Sequence, residues 1–167
     1  MVVKIAFFIL FCLVSQPAWA ETARALITGT APDSDISGSV SLEEVPDGLA
    51  IEIKVENVSP GPHGFHIHEK GSCAEGGSAA GGHYNPDGVQ HGFIPKDGFQ
   101  AAHAGDFGNI DVRADGTGSL SLVIPGLTIS GGKYNVKGRA VILHEKQDDF
   151  GQPTGNAGGR IGCGLIE

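Results

Sequence analysis

Gly64-Phe65-His66-Ile67-His68-Glu69 is the stretch on which the reading of this chain turns. It is a short run of strand-like character. Side chains on a β-strand alternate between its two faces, so His66 and His68 project together and aim two imidazoles at one point. The rest of the chain reads as a scaffold that delivers further histidines there. All seven histidines fall between His63 and His144.

Upstream, Leu49, Ile51, Ile53 and Val55 alternate with Ala50, Glu52, Lys54 and Glu56, the pattern of a half-buried strand. Ser59-Pro60-Gly61-Pro62 breaks that strand and leads into the histidine run. Ala23–Thr28 and Ser37–Val45 are expected strands, separated by the turn-rich Ala31-Pro32-Asp33-Ser34-Asp35. Downstream, residues 70–108 are rich in glycine and weakly periodic, and they hold His83, His91 and His103. A loop this long inside one domain is usually functional, and ligands to a metal would order it. Strand character returns at Ile110–Ala114. Asp115-Gly116 signals a hairpin to Ser119–Ile124. Gly138–Glu145 carries His144, residues 148–159 form a second irregular loop, and Arg160–Ile166 closes the chain. No convincing amphipathic helix is present. About eight short strands with turn chemistry between them predict an all-β fold: an eight-stranded antiparallel Greek-key sandwich or barrel with two long functional loops.

The N-terminus has a different logic. Lys4, the apolar run Ile5–Val14 and the small-x-small site Ala18-Trp19-Ala20 have the layout of a secretory signal peptide. About 10–14 apolar residues are too few to span a bilayer, and bulky Phe11 before Cys12 argues against a lipid-modified cysteine. Residues 1–20 are therefore expected to be a cleaved leader and residues 21–167 a single domain, exported, with no stable membrane association. Cleavage leaves two cysteines, Cys73 and Cys163, which in an oxidising compartment most simply pair. It also leaves ten basic against nineteen acidic residues, a net charge of −9. That argues against nucleic acid and anionic membrane as partners, and it means that an anionic substrate would need a local positive charge.

The histidines define two donor sets. Three histidines and a carboxylate close a tetrahedral zinc site, and His83, His91, His103 and Asp106 supply them. His66, His68 and His144, from strands, would make an all-nitrogen site suited to copper. From the residues alone, two independent sites and one linked centre are both admissible.

At this point the chain resembles the copper/zinc superoxide dismutase family, in its exported bacterial type. The resemblance rests on five stretches in order: Gly61-Pro62-His63-Gly64-Phe65-His66-Ile67-His68-Glu69; Gly82-His83-Tyr84-Asn85-Pro86; His103-Ala104-Gly105-Asp106-Phe107-Gly108-Asn109; His144-Glu145-Lys146-Gln147-Asp148-Asp149; and Thr154-Gly155-Asn156-Ala157-Gly158-Gly159-Arg160 with Cys163. It implies one copper and one zinc per subunit. Copper would be held by His66, His68, His83 and His144, and zinc by His83, His91, His103 and Asp106, with His83 shared. It further implies that Asp148 links His66 to His91, that Cys73 and Cys163 form the intrasubunit disulfide, that His63 is structural, and that Arg160 docks the superoxide anion. The implied activity is disproportionation of superoxide to dioxygen and hydrogen peroxide, with Arg160 and His83 as catalytic residues. The implied location is the periplasm, with secretion as the alternative, and the resemblance admits a homodimer.

Two features depart from the animal cytosolic pattern. The 149–160 loop is shorter, leaving Lys146 or Lys96 as candidate steering charges. The 92–102 segment is longer, and is expected either to cover the metal loop or to make a subunit contact. Three other classes compete with the dismutase reading. A non-catalytic copper or zinc carrier would lack a copper ligand or the arginine. An exported zinc hydrolase needs an open zinc position. An adhesion-type sandwich has no reason to gather six potential ligands.

Overall fold

The computed structural model describes residues 20–167; the expected leader falls almost wholly outside the described residues. Eight strands form: β1 (Thr22–Gly29), β2 (Ser37–Val45), β3 (Gly48–Glu56), β4 (Gly61–His68), β5 (Asp106–Val112), β6 (Gly118–Ile124), β7 (Ala140–His144) and β8 (Arg160–Leu165). They close into a barrel in the order β1-β2-β3-β6-β5-β4-β7-β8, every pair antiparallel. The β3–β6 and β4–β7 neighbours are the non-consecutive pairings that a Greek-key path requires. Closure removes the free sheet edges, and settles the sequence's sandwich-or-barrel alternative in favour of a barrel.

The alternating residues do what their period predicts. Ala25, Ile27, Val40, Leu42, Leu49, Ile51, Ile53 and Val55 point inward and are buried, while most of their neighbours face solvent. In-register pairs such as Val40 with Ile53 and Leu42 with Ile51 stack these side chains across strands. Each buried aliphatic side chain contributes about 1.5–3 kcal/mol. The only α-helix among the described residues is the single turn α1 (Ile94–Asp97). No helix among them is long and apolar enough to cross a membrane.

Strand β4 is buried on both faces. Phe65 and Ile67 enter the barrel core, whereas His66 and His68 face outward under the long loops and are still fully covered. The strand starts earlier than the sequence suggested, because Pro62 near its beginning is accommodated opposite Asp111.

The neighbouring strand β5 also departs from expectation. It begins at Asp106 rather than near Ile110 and ends at Val112, before Ala114. Gly64 pairs with Asn109 but His66 pairs with Asp106, so two β5 residues, Phe107 and Gly108, face the single residue Phe65. Gly108 takes the left-handed conformation (φ 80°) that such a bulge needs. The bulge inverts the face parity: Phe107, Ile110 and Val112 all reach the core, and Asp106 is thrown outward to the histidines. A regular strand would have aimed Asp106 into the barrel. Periodicity could not reveal this, because a bulge hides the alternation from which strands are read.

Candidate metal centre

Asp106 is the hub of one side. Its Oδ1 lies 2.8 Å from Nδ1 of His83 and 3.1 Å from Nδ1 of His103, and its Oδ2 lies 2.8 Å from Nδ1 of His91. The backbone amides of Gly92 and His103 donate to Oδ2 at 2.9 and 3.0 Å. Burial alone would raise the Asp106 pKa; hydrogen bonds from His103, His83 and the Gly92 amide, with the close approach of the His91 ring, overcome it and hold the carboxyl far below the usual range. The group is thus an anion on which three imidazole nitrogens converge.

On the other side His66, His68, His83 and His144 each bring a ring nitrogen within 4.8 Å of the others. Their second nitrogens show which atoms are free. Nε2 of His66 donates to Asp148 Oδ2 at 2.8 Å, leaving its buried Nδ1 without a partner. Nδ1 of His68 donates to the Gly81 carbonyl at 3.0 Å, leaving Nε2 3.4 Å from Nε2 of His144. Burial is the main reason that His68, His83 and His144 are pushed down to about 2, 4 and 3; neighbouring imidazoles add to it. They are therefore neutral, the form that binds metals. His83 belongs to both sets, its Nδ1 toward Asp106 and its ring 4.1 Å from that of His66.

An orphaned buried nitrogen on His66, neutral histidines packed nitrogen to nitrogen, and a carboxylate gathering three more imidazoles fit a pair of cations better than any hydrogen-bonded core. His91 fits too. Its Nδ1 is close to Asp106 Oδ2, yet a proton on that nitrogen would not point along the line between them, so it makes no directed hydrogen bond.

Asp148 lies behind both sets. Its carboxylate accepts from Nε2 of His66 at 2.8 Å and from Nε2 of His91 at 2.9 Å, and both residues are fully buried. Burial lowers His91, but Asp106 and Asp148 outweigh it and raise it to about 9. The main chain of Asp148 is held in turn: Asn109 Nδ2 donates to its carbonyl at 2.9 Å, and its amide donates to Asn109 Oδ1 at 2.7 Å. The sequence reading assigned Asn109 no role, since side-chain-to-backbone pairing between distant segments leaves no periodic mark.

His63 stands apart from both sets. Its Nδ1 donates to the His144 carbonyl at 2.8 Å, and its Nε2 lies against the Ser59 hydroxyl and carbonyl, so it ties β4 to β7.

Arg160 opens β8 beside the His68, His83 and His144 edges. Its guanidinium donates to the carbonyls of Gly77 and Gly81, each at 2.6 Å. The loop carrying those carbonyls is fastened to β8 by the Cys73–Cys163 disulfide, which spans 90 residues. A cavity of about 190 Å³ opens here, lined by His68, His83 and His144, by Arg160, and by the Thr154–Gly158 segment. Larger hollows on the barrel wall, such as one of about 310 Å³ beside the disulfide, bring no histidines together. Lys146 is exposed and its side chain passes Gly158 on the cavity rim. Lys96 lies on α1, outside the cavity lining.

The 92–102 segment packs back against the domain at three points. Gly92 binds Asp106, Ile94 is buried, and the Phe99 ring stacks on Tyr134 at 3.7 Å.

A family model described as copper/zinc superoxide dismutase (SODC) matches residues 36–166. The chain belongs to the copper/zinc superoxide dismutase family. It is 40% identical over 155 residues to the extracellular superoxide dismutase [Cu-Zn] of Caenorhabditis elegans, covering 86% of this chain and 68% of that protein. Its fold superimposes on the crystal structure of the clock protein EA4 with a TM-score of 0.79 at 35% identity, over 89% of this chain and 95% of that one. Membership identifies the chain as a superoxide dismutase, a copper- and zinc-dependent oxidoreductase. The animal relative supports the family, while the bacterial subtype expected from the motifs rests on those motifs alone.

Proposed function

We propose that the mature chain, residues 21–167, disproportionates superoxide at a two-metal centre in which His66, His68, His83 and His144 hold copper and His83, His91, His103 and Asp106 hold zinc, one of each per subunit. The observation that carries this reading is His83, which shares its ring between the two donor sets. Copper supplies the one-electron redox couple, and zinc supplies fixed charge without redox chemistry.

The chain's own residues have separable tasks. Two superoxide anions and two protons become one dioxygen and one hydrogen peroxide. The net negative protein repels an anion at long range, and the Arg160 guanidinium answers this locally, since it stays charged at any physiological pH and faces the cavity. A charged cleft of this kind raises on-rates roughly 10- to 1,000-fold. His83 Nε2, on the cavity side, is the atom placed to hold and pass on one of the protons that peroxide requires. Asp148 fixes the rings of His66 and His91, and the Gly92 amide helps hold the Asp106 carboxylate.

The export layout, the disulfide and the extracellular relative support a role outside the cytoplasm. We place it in the periplasm, protecting the cell envelope, with full secretion as the alternative. The carrier reading gains nothing from the site, because neither a candidate copper ligand nor the arginine is missing. The test is superoxide consumption by mature protein loaded with copper and zinc, against a His66→Ala control. Activity lost in the control supports the reading; an inactive loaded protein overturns it.

A further inference from the structure

Gln152 lies in the second loop and touches no donor atom of either set. Yet its side-chain amide engages the main chain of His91 on both sides. The His91 amide donates to Gln152 Oε1 at 3.1 Å, and Gln152 Nε2 donates to the His91 carbonyl at 2.8 Å. A carboxamide that both accepts from and donates to one residue imitates the pairing of neighbouring β-strands and fixes that residue in position and in rotation. Asn109 does the same for Asp148. The short stretch from Asp148 to Gln152 is thus pinned at each end by a carboxamide clamp, and the Asp148–His91 hydrogen bond closes the figure.

The same stretch carries a second contact between the two long loops. Phe150, in the left-handed region at φ 59°, lies 6.4 Å from the His91 ring, nearly parallel to it, and 5.8 Å from Phe93. Beyond it the chain turns back over the centre. Gly155 sits so close to Asp148 and His91 that a Cβ there would lie 2.7 Å from His91 Nε2. Thr154, Asn156 and Gly158, on either side of Gly155, form one wall of the cavity that Arg160 faces.

We infer that Gln152 is a positioning residue: it sets the pose of His91 and couples order at the zinc set to the Thr154–Gly158 wall of the cavity. This rests on the proposed role of His91 as a zinc ligand. Asp148 orients the His91 ring through Nε2 and the next amide, that of Gly92, is held by Asp106, but it is Gln152 that bonds both the amide and the carbonyl of His91 itself. Without the clamp, His91 keeps the Asp148 and Gly92–Asp106 contacts but loses both bonds to its own main chain, and the wall loses its anchor on that side.

The test uses full-length mature protein carrying Gln152→Met, which keeps the length of the side chain without the amide, and Gln152→Ala. Three readouts are compared with wild type: zinc affinity by chelator competition, the visible absorption of cobalt(II) placed in the zinc set, and amide hydrogen exchange over residues 150–158. We expect zinc affinity to fall about 10-fold, the lower end of what loss of a ligand-orienting contact costs. The cobalt bands should shift, and exchange over residues 150–158 should quicken in the zinc-loaded protein. Zinc affinity within twofold of wild type with an unchanged cobalt spectrum in both variants overturns the inference. Wild-type protein that takes up no zinc or cobalt at this set overturns the metal reading itself, a result distinguishable from the first. Gln152 is exposed and outside the barrel strands, so the two variants retain the fold, checked by the intact disulfide and the thermal transition.

Discussion

The Asp148 carboxylate accepts the Nε2 proton of His66 at 2.8 Å, and this one hydrogen bond fixes which nitrogen of His66 remains to bind a metal. The partnerless Nδ1 is its direct consequence. Replacing Asp148 by Ala leaves the Nε2 groups of His66 and His91 buried without acceptors, at about 1–3 kcal/mol each, and frees both rings to rotate. We expect 10- to 100-fold weaker binding of copper and zinc, measured by competition with chelators. Unaltered affinity for both metals would show that the bridge orients neither ring.

Arg160→Ala should lower kcat/KM about 10-fold or more at low ionic strength while copper content, measured by metal analysis, stays at one per chain. Arg160→Lys should fall between the two, because it keeps the charge but cannot reproduce the paired contacts to Gly77 and Gly81. Salt should slow the wild type more than Arg160→Ala. Equal salt dependence in both would place the docking charge elsewhere, with Lys146 the next residue to test.

At Gly155 a methyl group would overlap Asp148 Oδ1 and press on His91 Nε2, and the backbone is held at φ 76°. Gly155→Ala combines about 1 kcal/mol of backbone strain with about 1–3 kcal/mol of overpacking. A fall of several degrees in Tm is expected, together with weaker zinc binding. An unchanged Tm would mean that the loop moves aside at no cost.

Protonation should make the metal-depleted protein most stable near pH 6.5. His68, His83 and His144 titrate in the fold at about 2, 4 and 3, below the ordinary 6.5. Their contribution is complete above 6.5 and drains away as the pH falls toward those values, because the unfolded chain takes up protons first. Asp106 and Asp148, held low, add a further loss below the ordinary carboxylate range. His91, raised to about 9, contributes below 6.5 and its share is lost as the pH climbs through 9. Each proton of difference tilts stability by about 1.4 kcal/mol per pH unit. Denaturant unfolding of metal-depleted protein from pH 4 to 9 measures this; a flat profile below 6.5 would contradict it.

Removing the disulfide by Cys73→Ser opens a loop of 90 residues, worth on the order of 4–5 kcal/mol in the chain-entropy model. It also unties the Gly77 and Gly81 carbonyls from β8. Arg160 should then lose part of its function along with the lost stability, read as a drop in kcat/KM at a temperature where the variant is still folded.

The strands were legible because alternation is local. Leu49 to Val55 declares its buried face residue by residue, and the expected bounds of β2 and β6 agree with the structure to within a residue. The ligand candidates were legible because imidazoles and a carboxylate at such density have few other uses. The bulge at Phe107–Gly108 was not, since it interrupts the period on which the strand was read.

Sequence by itself determined the chemistry available: seven histidines, Asp106, Asp148, one arginine in the last strand, two cysteines and an all-β pattern. Tertiary structure decided which of these meet. Closing the barrel through β4–β7 brought His144 beside His66 and His68 across some 80 residues of chain. The bulge turned Asp106 outward, and Asn109 and Gln152 pinned the loops that carry Asp148 and His91. These contacts join segments far apart in sequence, through single side chains whose partners are set by the packed fold rather than by neighbouring residues, so no local pattern announces them.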